Sequence, residues 1–513
     1  MKKALTAFGV AWLAACGSAP PNTTVGTPHV ELSPEPPAAR TVEIVASRTE
    51  SPVISFRIVY DAGSGNDQHE GATALAARLM TDGAAGEWTY AQIQERLFPM
   101  AASVDYHVDR EQTVFTARVH RDHLEDFYAI LRAMLIAPQM TETDFARVLA
   151  QSVSELTQDL RGNDDEALGQ ETLQAMLYEG HAFGHPTLGT ARSLSAMTLE
   201  NVRAQRTALM CEANLHIGLA GSIPDGFGER LQADLLSVTC PAVSTLPRIA
   251  APAAQERRVW LVDKPDAAST AVSMGIPLDV TRDDADYPAL VLATAYFGQH
   301  RQFAGRLMQK MRGDRGLNYG DYAYTEHFEQ DGWSRFPLPN LARHHQYFSI
   351  WLRPVLPQKA QFAIRMAVRE FEDFIQHGMT EADFTRIRDF ASQYYALFLQ
   401  TESRRLGYTI DDHFYGMDQA WLERVRAAWQ RMTVADVNAA IQRHLDASHL
   451  QIAVVTSHAA AFADALASDA PSPITYDTPP AESVLAEDRI IQAYPIHIAR
   501  DHVRIVPVAS IFE

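Results

Sequence analysis

Cysteine is scarce in this chain, with three in 513 residues. That excludes a disulfide-dense scaffold, and the lack of any C-x-x-C pair removes the common thiolate metal and redox frames. Basic residues are outnumbered, 44 against 63 acidic, and the formal charge of -19 argues against nucleic acid or an anionic membrane surface as a general partner. No G-x-x-x-x-G-K-[ST] and no G-x-S-x-G occurs, so neither a phosphate-cradling loop nor a nucleophile elbow is encoded. Beyond the N-terminus no apolar run is long enough to cross a bilayer as a helix. What is present is length, enough for about two to four domains, each with its own core.

The N-terminus has the layout of a secretory signal: Lys2 and Lys3, then the apolar run Ala4 to Ala15, too short to span. The run ends in Leu13-Ala14-Ala15-Cys16, similar to a bacterial lipobox, so Cys16 is expected to carry lipid as the first residue of the mature chain. The alternative is a plain signal peptide with a chance cysteine. Residues 16–40 hold six prolines among Ser, Thr and Gly and read as an extended tether, which places the body at a membrane of the cell envelope, facing the periplasm. In such an oxidising compartment Cys211 and Cys240 form either a disulfide or two separately buried thiols.

Periodicity predicts strands over 41–47 and 53–60, the latter with Ile54, Phe56, Ile58 and Tyr60 on one face. Helices are expected at 72–80 and 90–97, strands at 102–107 and 113–120, a helical block over 123–180, then helix, strand and helix up to 238. The chain also repeats itself. Met140-Thr141-Glu142-Thr143-Asp144-Phe145 returns as Met379-Thr380-Glu381-Ala382-Asp383-Phe384, a shift of 379 - 140 = 239. Met197-Thr198 returns as Met432-Thr433, and Ala213-Asn214-Leu215 as Ser448-His449-Leu450, each shifted by 235. Thr141 and Thr380 are placed as helix N-caps. Ordered matches at nearly one offset indicate a duplication. The expected layout is a signal peptide (1–15), a tether (16–40), a first domain (41–246), a linker (247–256), a second domain (257–465) and an extended C-terminal arm (466–513). Mixed strands and helices in both copies give an α+β class, two similar domains side by side.

The stretch from Gly63 to Gly83, read alone, is a turn feeding an ordinary amphipathic core helix. Its Gly-Ser turn, the Glu70-Gly71 step and Gly83 resemble the frame in which insulinase or pitrilysin-type peptidases carry H-x-x-E-H. That resemblance puts the first His position at Ala74, the Glu at Ala77 and the second His at Arg78. Two imidazoles at i and i+4 grip one zinc ion while the carboxylate activates its water. Alanine has no donor atom, and a guanidinium repels a cation. The family's third ligand falls on Glu155, 155 - 78 = 77 positions on, so an ion pair between Arg78 and Glu155 is expected in place of a metal. The bland alternative leaves Glu155 on a solvated helix face.

In the second half Arg312-Gly313-Asp314-Arg315-Gly316-Leu317-Asn318-Tyr319 is similar to the family's R-x-x-R-G-L-x-Y signature. By that resemblance Arg312 holds a substrate carbonyl and Tyr319 donates to a tetrahedral oxyanion, reaching across to a zinc-bearing domain. The family's glycine run over the cavity is missing; 297–305 holds only Gly298 and Gly305. His120 ends a strand beside a capping Asp122, His181 and His185 sit in a loop rather than on a helix face, adjacent His344 and His345 point in different directions, and His69-Glu70 has Thr73 where an H-E-x-x-H motif needs His, so none reads as a ligand set. The loop from Gly332 to Asn340 lines a peptide groove or packs the domain seam. The resemblance implies two α/β-roll domains making half of a clamshell. It also implies a zinc-free subunit that binds peptide and lends Arg312 and Tyr319 to an H-x-x-E-H partner holding the zinc. An inactive peptide-binding chaperone or scaffold is the alternative, and a self-sufficient metallopeptidase would need ligands the sequence does not show.

Overall fold

The structure is a computed structural model that describes Val42 and residues 44–240, 251–330, 332 and 334–513. Cys16, the signal peptide, the tether and the first part of the 247–256 linker lie outside the described residues. Alternating apolar residues build a first sheet from β1 (Ile44–Arg48), β2 (Val53–Tyr60), β3 (Ser103–Val108), β4 (Thr113–His120) and β5 (Leu215–Gly221). Their order is β1-β5-β2-β4-β3. The second sheet contains β6 (Arg258–Asp263), β7 (Thr270–Leu278), β8 (Asp321–Tyr324), β9 (Gln346–Val355), β10 (Gln451–Thr456) and β11 (Val503–Pro507), ordered β11-β6-β10-β7-β9-β8.

Without β11 the second sheet has the topology of the first. β1 runs parallel to β5 as β6 does to β10, and the remaining neighbours pair antiparallel in both. The sequence duplication is therefore a duplication of fold. The repeated caps do equivalent work: the Thr141 hydroxyl accepts from the Asp144 amide at 3.1 Å and Thr380 from the Asp383 amide at 3.2 Å. Each begins a long helix, Glu142–Ser154 and Glu381–Tyr394.

The two domains do more than stand side by side. Helix Asp165–Leu177 of the first domain packs on β7 and β10 of the second, and helix Glu402–Phe414 of the second packs on β1, β2 and β5 of the first. These helices are themselves repeat equivalents, since 402 - 165 = 237. The exchange explains why β2 is buried on both faces although its pattern alternates. Ile54, Phe56, Ile58 and Tyr60 point into the first core, while Val59 on the opposite face packs with Val114 and Ile410. Arg57 shares that covered face. Burial pushes its guanidinium down to about 10, and it donates to Asn340 at 2.5 Å. Gly218 in β5 makes room for the visiting helix, because a Cβ there would stand 2.9 Å from Leu406.

Cys211 and Cys240 are joined in a disulfide with Cα atoms 5.3 Å apart, tying the turn before β5 to the end of helix Phe227–Leu236. The C-terminal arm departs from the extended form expected of it. It folds into a helix, Glu482–Ile491, before β11 adds to β6, and its last residues Ile511 and Phe512 are buried in the first core. No helix among the described residues is long and apolar enough to cross a membrane.

Candidate functional site

The opening helix, Ala72–Thr81, starts at Gly71, whose φ of +91° and tight packing against Leu188 and Gly189 admit only glycine. Ala74 is half-buried and Ala77 fully buried. One turn on, Arg78 donates to Glu155 at 2.8 Å, with Ser152 and Asp82 each at 3.4 Å. The ion pair expected from the sequence is thus formed, and Glu155 does not stand alone on a solvated face. Burial lowers the affinity of Arg78 for its proton, but Glu155 and Asp82 outweigh it and hold the guanidinium above its ordinary value. Glu155 sits where helix Glu142–Ser154 widens into a π-helical segment, Glu155–Asn163, a geometry that recurs at functional sites. The donor set does not fit the zinc ion that the family frame implies. Two of three ligand atoms are missing, and the remaining carboxylate is engaged by a permanent cation.

The second motif separates into an anchor and a presented pair. Arg315 is fully buried and donates to Asp488 at 2.8 Å, Glu487 at 2.7 Å and the Lys310 carbonyl at 2.9 Å. Gly316 turns the chain with φ +60°. Arg312, on a π-helical turn Met308–Gly313, donates to the Tyr319 carbonyl at 2.9 Å and lies 4.8 Å from the centre of the Phe303 ring. Tyr319 is 80% exposed and Phe303 62%, so the pair faces outward and is not part of a core. Arg353 ties this loop to the first domain: its backbone bonds Gly320 and Asn318, and its side chain pairs with Glu166 at 2.9 Å. Glu166 and Arg353 line an interdomain cavity of about 670 Å³.

The anchor carries a pH dependence. Burial pushes the Glu487 carboxyl up, but hydrogen bonds from Lys310 and Arg315 overcome it and hold it at about 2. Since the folded value lies below the unfolded one, this stabilisation is complete above about 4.5 and is lost as pH falls toward about 2. Amide exchange of helix Glu482–Ile491 is expected to accelerate across that window before exchange of β7 does. Equal protection of the two throughout would contradict the anchoring role.

His120 is a local cap for Asp122, and His185 bonds its neighbour Pro186 at 2.8 Å. His344 binds Glu111 at 3.1 Å. Of the two readings of the Gly332 to Asn340 loop, Asn340 supports the seam, since it is fully buried between Arg57 and Asp411; Trp333 lies outside the described residues. Sequence reasoning missed the His327, Glu329 and Asp109 cluster at the same seam. The signal was available as two words, His107-x-Asp109 and His327-x-Glu329, whose spacing places both side chains of an extended segment on one face.

Residues 43–191 match the family model described as Insulinase (Peptidase family M16), and residues 229–390 match the one described as Peptidase M16 inactive domain. A Helicobacter pylori protein named Non-peptidase homolog YmxG is 21% identical over 399 residues, covering 77% of this chain and 87% of its own length. An uncharacterized zinc protease of Mycobacterium tuberculosis is 26% identical over 309 residues, 58% of this chain and 64% of that protein. Among solved structures, a peptidase M16 inactive domain from Pseudomonas fluorescens superposes with a TM-score of 0.69 at 21% identity, covering 80% of this chain and 94% of that one. A protease from Helicobacter pylori gives 0.69 at 13%, covering 80% and 96%. Two α+β domains of one topology, matched in order by the two models of a single family, make this chain a member of the insulinase peptidase family.

Proposed function

We propose that this chain is the zinc-free subunit of a two-chain insulinase-type peptidase. It binds peptide and lends Arg312 and Tyr319 to a site whose metal and general base belong to an H-x-x-E-H partner, the body being held at the cell envelope through lipid on Cys16. The observation that carries the reading is the contrast between the two halves. The ligand frame of the first is closed by the Arg78–Glu155 ion pair, whereas the motif of the second is braced on buried Arg315 and keeps Tyr319 exposed. Bracing of this kind is what a hydrogen-bond donor needs if it is to meet developing charge without reorganising.

The test is a reconstituted pair with an H-x-x-E-H subunit. Tyr319→Phe keeps the ring and removes the donor, so turnover is expected to drop on the order of 10² to 10³-fold while the complex still assembles. Unchanged turnover would reject the shared site and leave a peptide-binding scaffold as the function.

A further inference from the structure

The seam between the domains holds a group of side chains that the reading above does not use. His107 and Asp109 come from the end of β3 and the turn after it; His327 and Glu329 come from the segment following β8. The His327 Nε2 atom lies 3.2 Å from one Glu329 oxygen and 3.7 Å from Asp109 Oδ1, and His107 Nε2 lies 3.4 Å from the other Glu329 oxygen. Ligands bonded to one zinc ion at about 2.0 to 2.1 Å in a tetrahedron stand about 3.3 Å from each other. His327, Glu329 and Asp109 each offer a donor atom within 4.8 Å of the other two, and His107 stands against the far oxygen of Glu329, so one ion can draw on this group.

Three further features suit an ion. The other ring nitrogen of His327, Nδ1, is 2.9 Å from the hydroxyl of buried Tyr347. When that hydroxyl accepts from Nδ1–H, Nε2 is left as the electron-pair donor. His107 Nε2 is shielded from solvent and makes no hydrogen bond of acceptable geometry. Asp109 accepts from Arg343 through both oxygens, and its Oδ1 also lies 3.7 Å from His327 Nε2. His327 and Glu329 also line the interdomain cavity, which gives an ion its way in.

We propose that His107, His327 and Glu329, backed by Asp109, form a divalent metal site that staples the two domains, with Zn²⁺ as the ion its imidazole and carboxylate donors select. This site is built from residues outside the Ala74, Arg78 and Glu155 frame and stands whether or not the chain has a peptidase partner.

Full chain stripped with chelator and titrated with ZnCl₂ in a calorimeter is expected to take up one zinc ion. Glu329→Gln and His327→Gln are each expected to weaken binding at least about 10-fold. Arg78→Ala is expected to leave it unchanged. Should the buried His327 substitution unfold the chain, Glu329→Gln and His107→Gln, both at partly exposed side chains, decide the matter, and Co²⁺ titration reports the same site through tetrahedral d–d absorption that these variants weaken. No zinc uptake by the native chain, or uptake that the Glu329 and His327 variants leave intact, overturns the site. Full affinity in the His107 variant overturns it as well.

Discussion

Asp109→Ala is expected to destabilise the folded chain by about 3–5 kcal/mol, the cost of leaving a buried charge without its partner. Asp109 and Arg343 are each 1% exposed. Arg343 Nε donates to one carboxylate oxygen at 2.7 Å, its Nη2 donates to the other, and its Nη1 reaches Gln174 at 2.9 Å. Burial alone would push the Asp109 carboxyl up, but Arg343 and His327 reverse that and hold it well below the usual carboxylate range. The turn that carries Asp109 makes two more bonds across the seam, from the Ala342 amide to Gln112 at 3.2 Å and from the His344 amide to Glu111 at 2.5 Å. Losing Asp109 therefore strands a guanidinium with no route to water. The double variant Asp109→Leu, Arg343→Met removes both charges and is expected to recover much of the loss, because nothing ionic is left unpaired. Urea unfolding in the presence of chelator measures both. A loss under about 1 kcal/mol for the single variant would show that the pair does not hold the domains together.

That seam is where the sequence stopped being legible. Local chemistry was readable: the Thr141 and Thr380 caps, the bounds of β2 and β4, and the duplication all follow from short-range pattern, and the structure places each where the pattern puts it. The Arg78–Glu155 pair was readable because a family frame supplied the 77-residue separation that periodicity cannot. Periodicity says which face of a helix is apolar but not which sheet receives it. For that reason the exchange of helices Asp165–Leu177 and Glu402–Phe414 was invisible: alternation sets Arg57 opposite Ile54, Phe56, Ile58 and Tyr60 without saying that a helix covers it. Likewise the motif, by resemblance, gave Arg312 a substrate role and Arg315 none. The packing of helix Glu482–Ile491, in a segment expected to be extended, shows that Arg315 is the buried brace. The metal-like cluster joins residues 220 positions apart (327 - 107), a separation that no local rule connects.

Restoring two imidazoles gives the sharpest test of the degenerate frame. Ala74→His with Arg78→His, made in a Glu329→Gln background where seam binding is weakened, is expected to add a zinc ion bound at micromolar concentration that the background alone does not hold. Positions 74 and 78 are one turn apart on a single face of helix Ala72–Thr81, and the Arg78 guanidinium already reaches Glu155 at 2.8 Å. Two imidazoles and Glu155 then make a three-ligand site with a position left for water. The exchange is tolerable, because the Glu155 side chain is 38% exposed and keeps its access to water when the more shielded Arg78 is replaced. Ala77 is left as it is. It is fully buried, so the loaded variant is expected to hold zinc without hydrolysing peptide, the carboxylate that would activate water being absent. Calorimetry in that background reads the outcome. If no added zinc is taken up, positions 74, 78 and 155 are not one ligand set and the correspondence with H-x-x-E-H is misplaced; if it is, Ala74 and Arg78 together are what separate this domain from a metal-binding one.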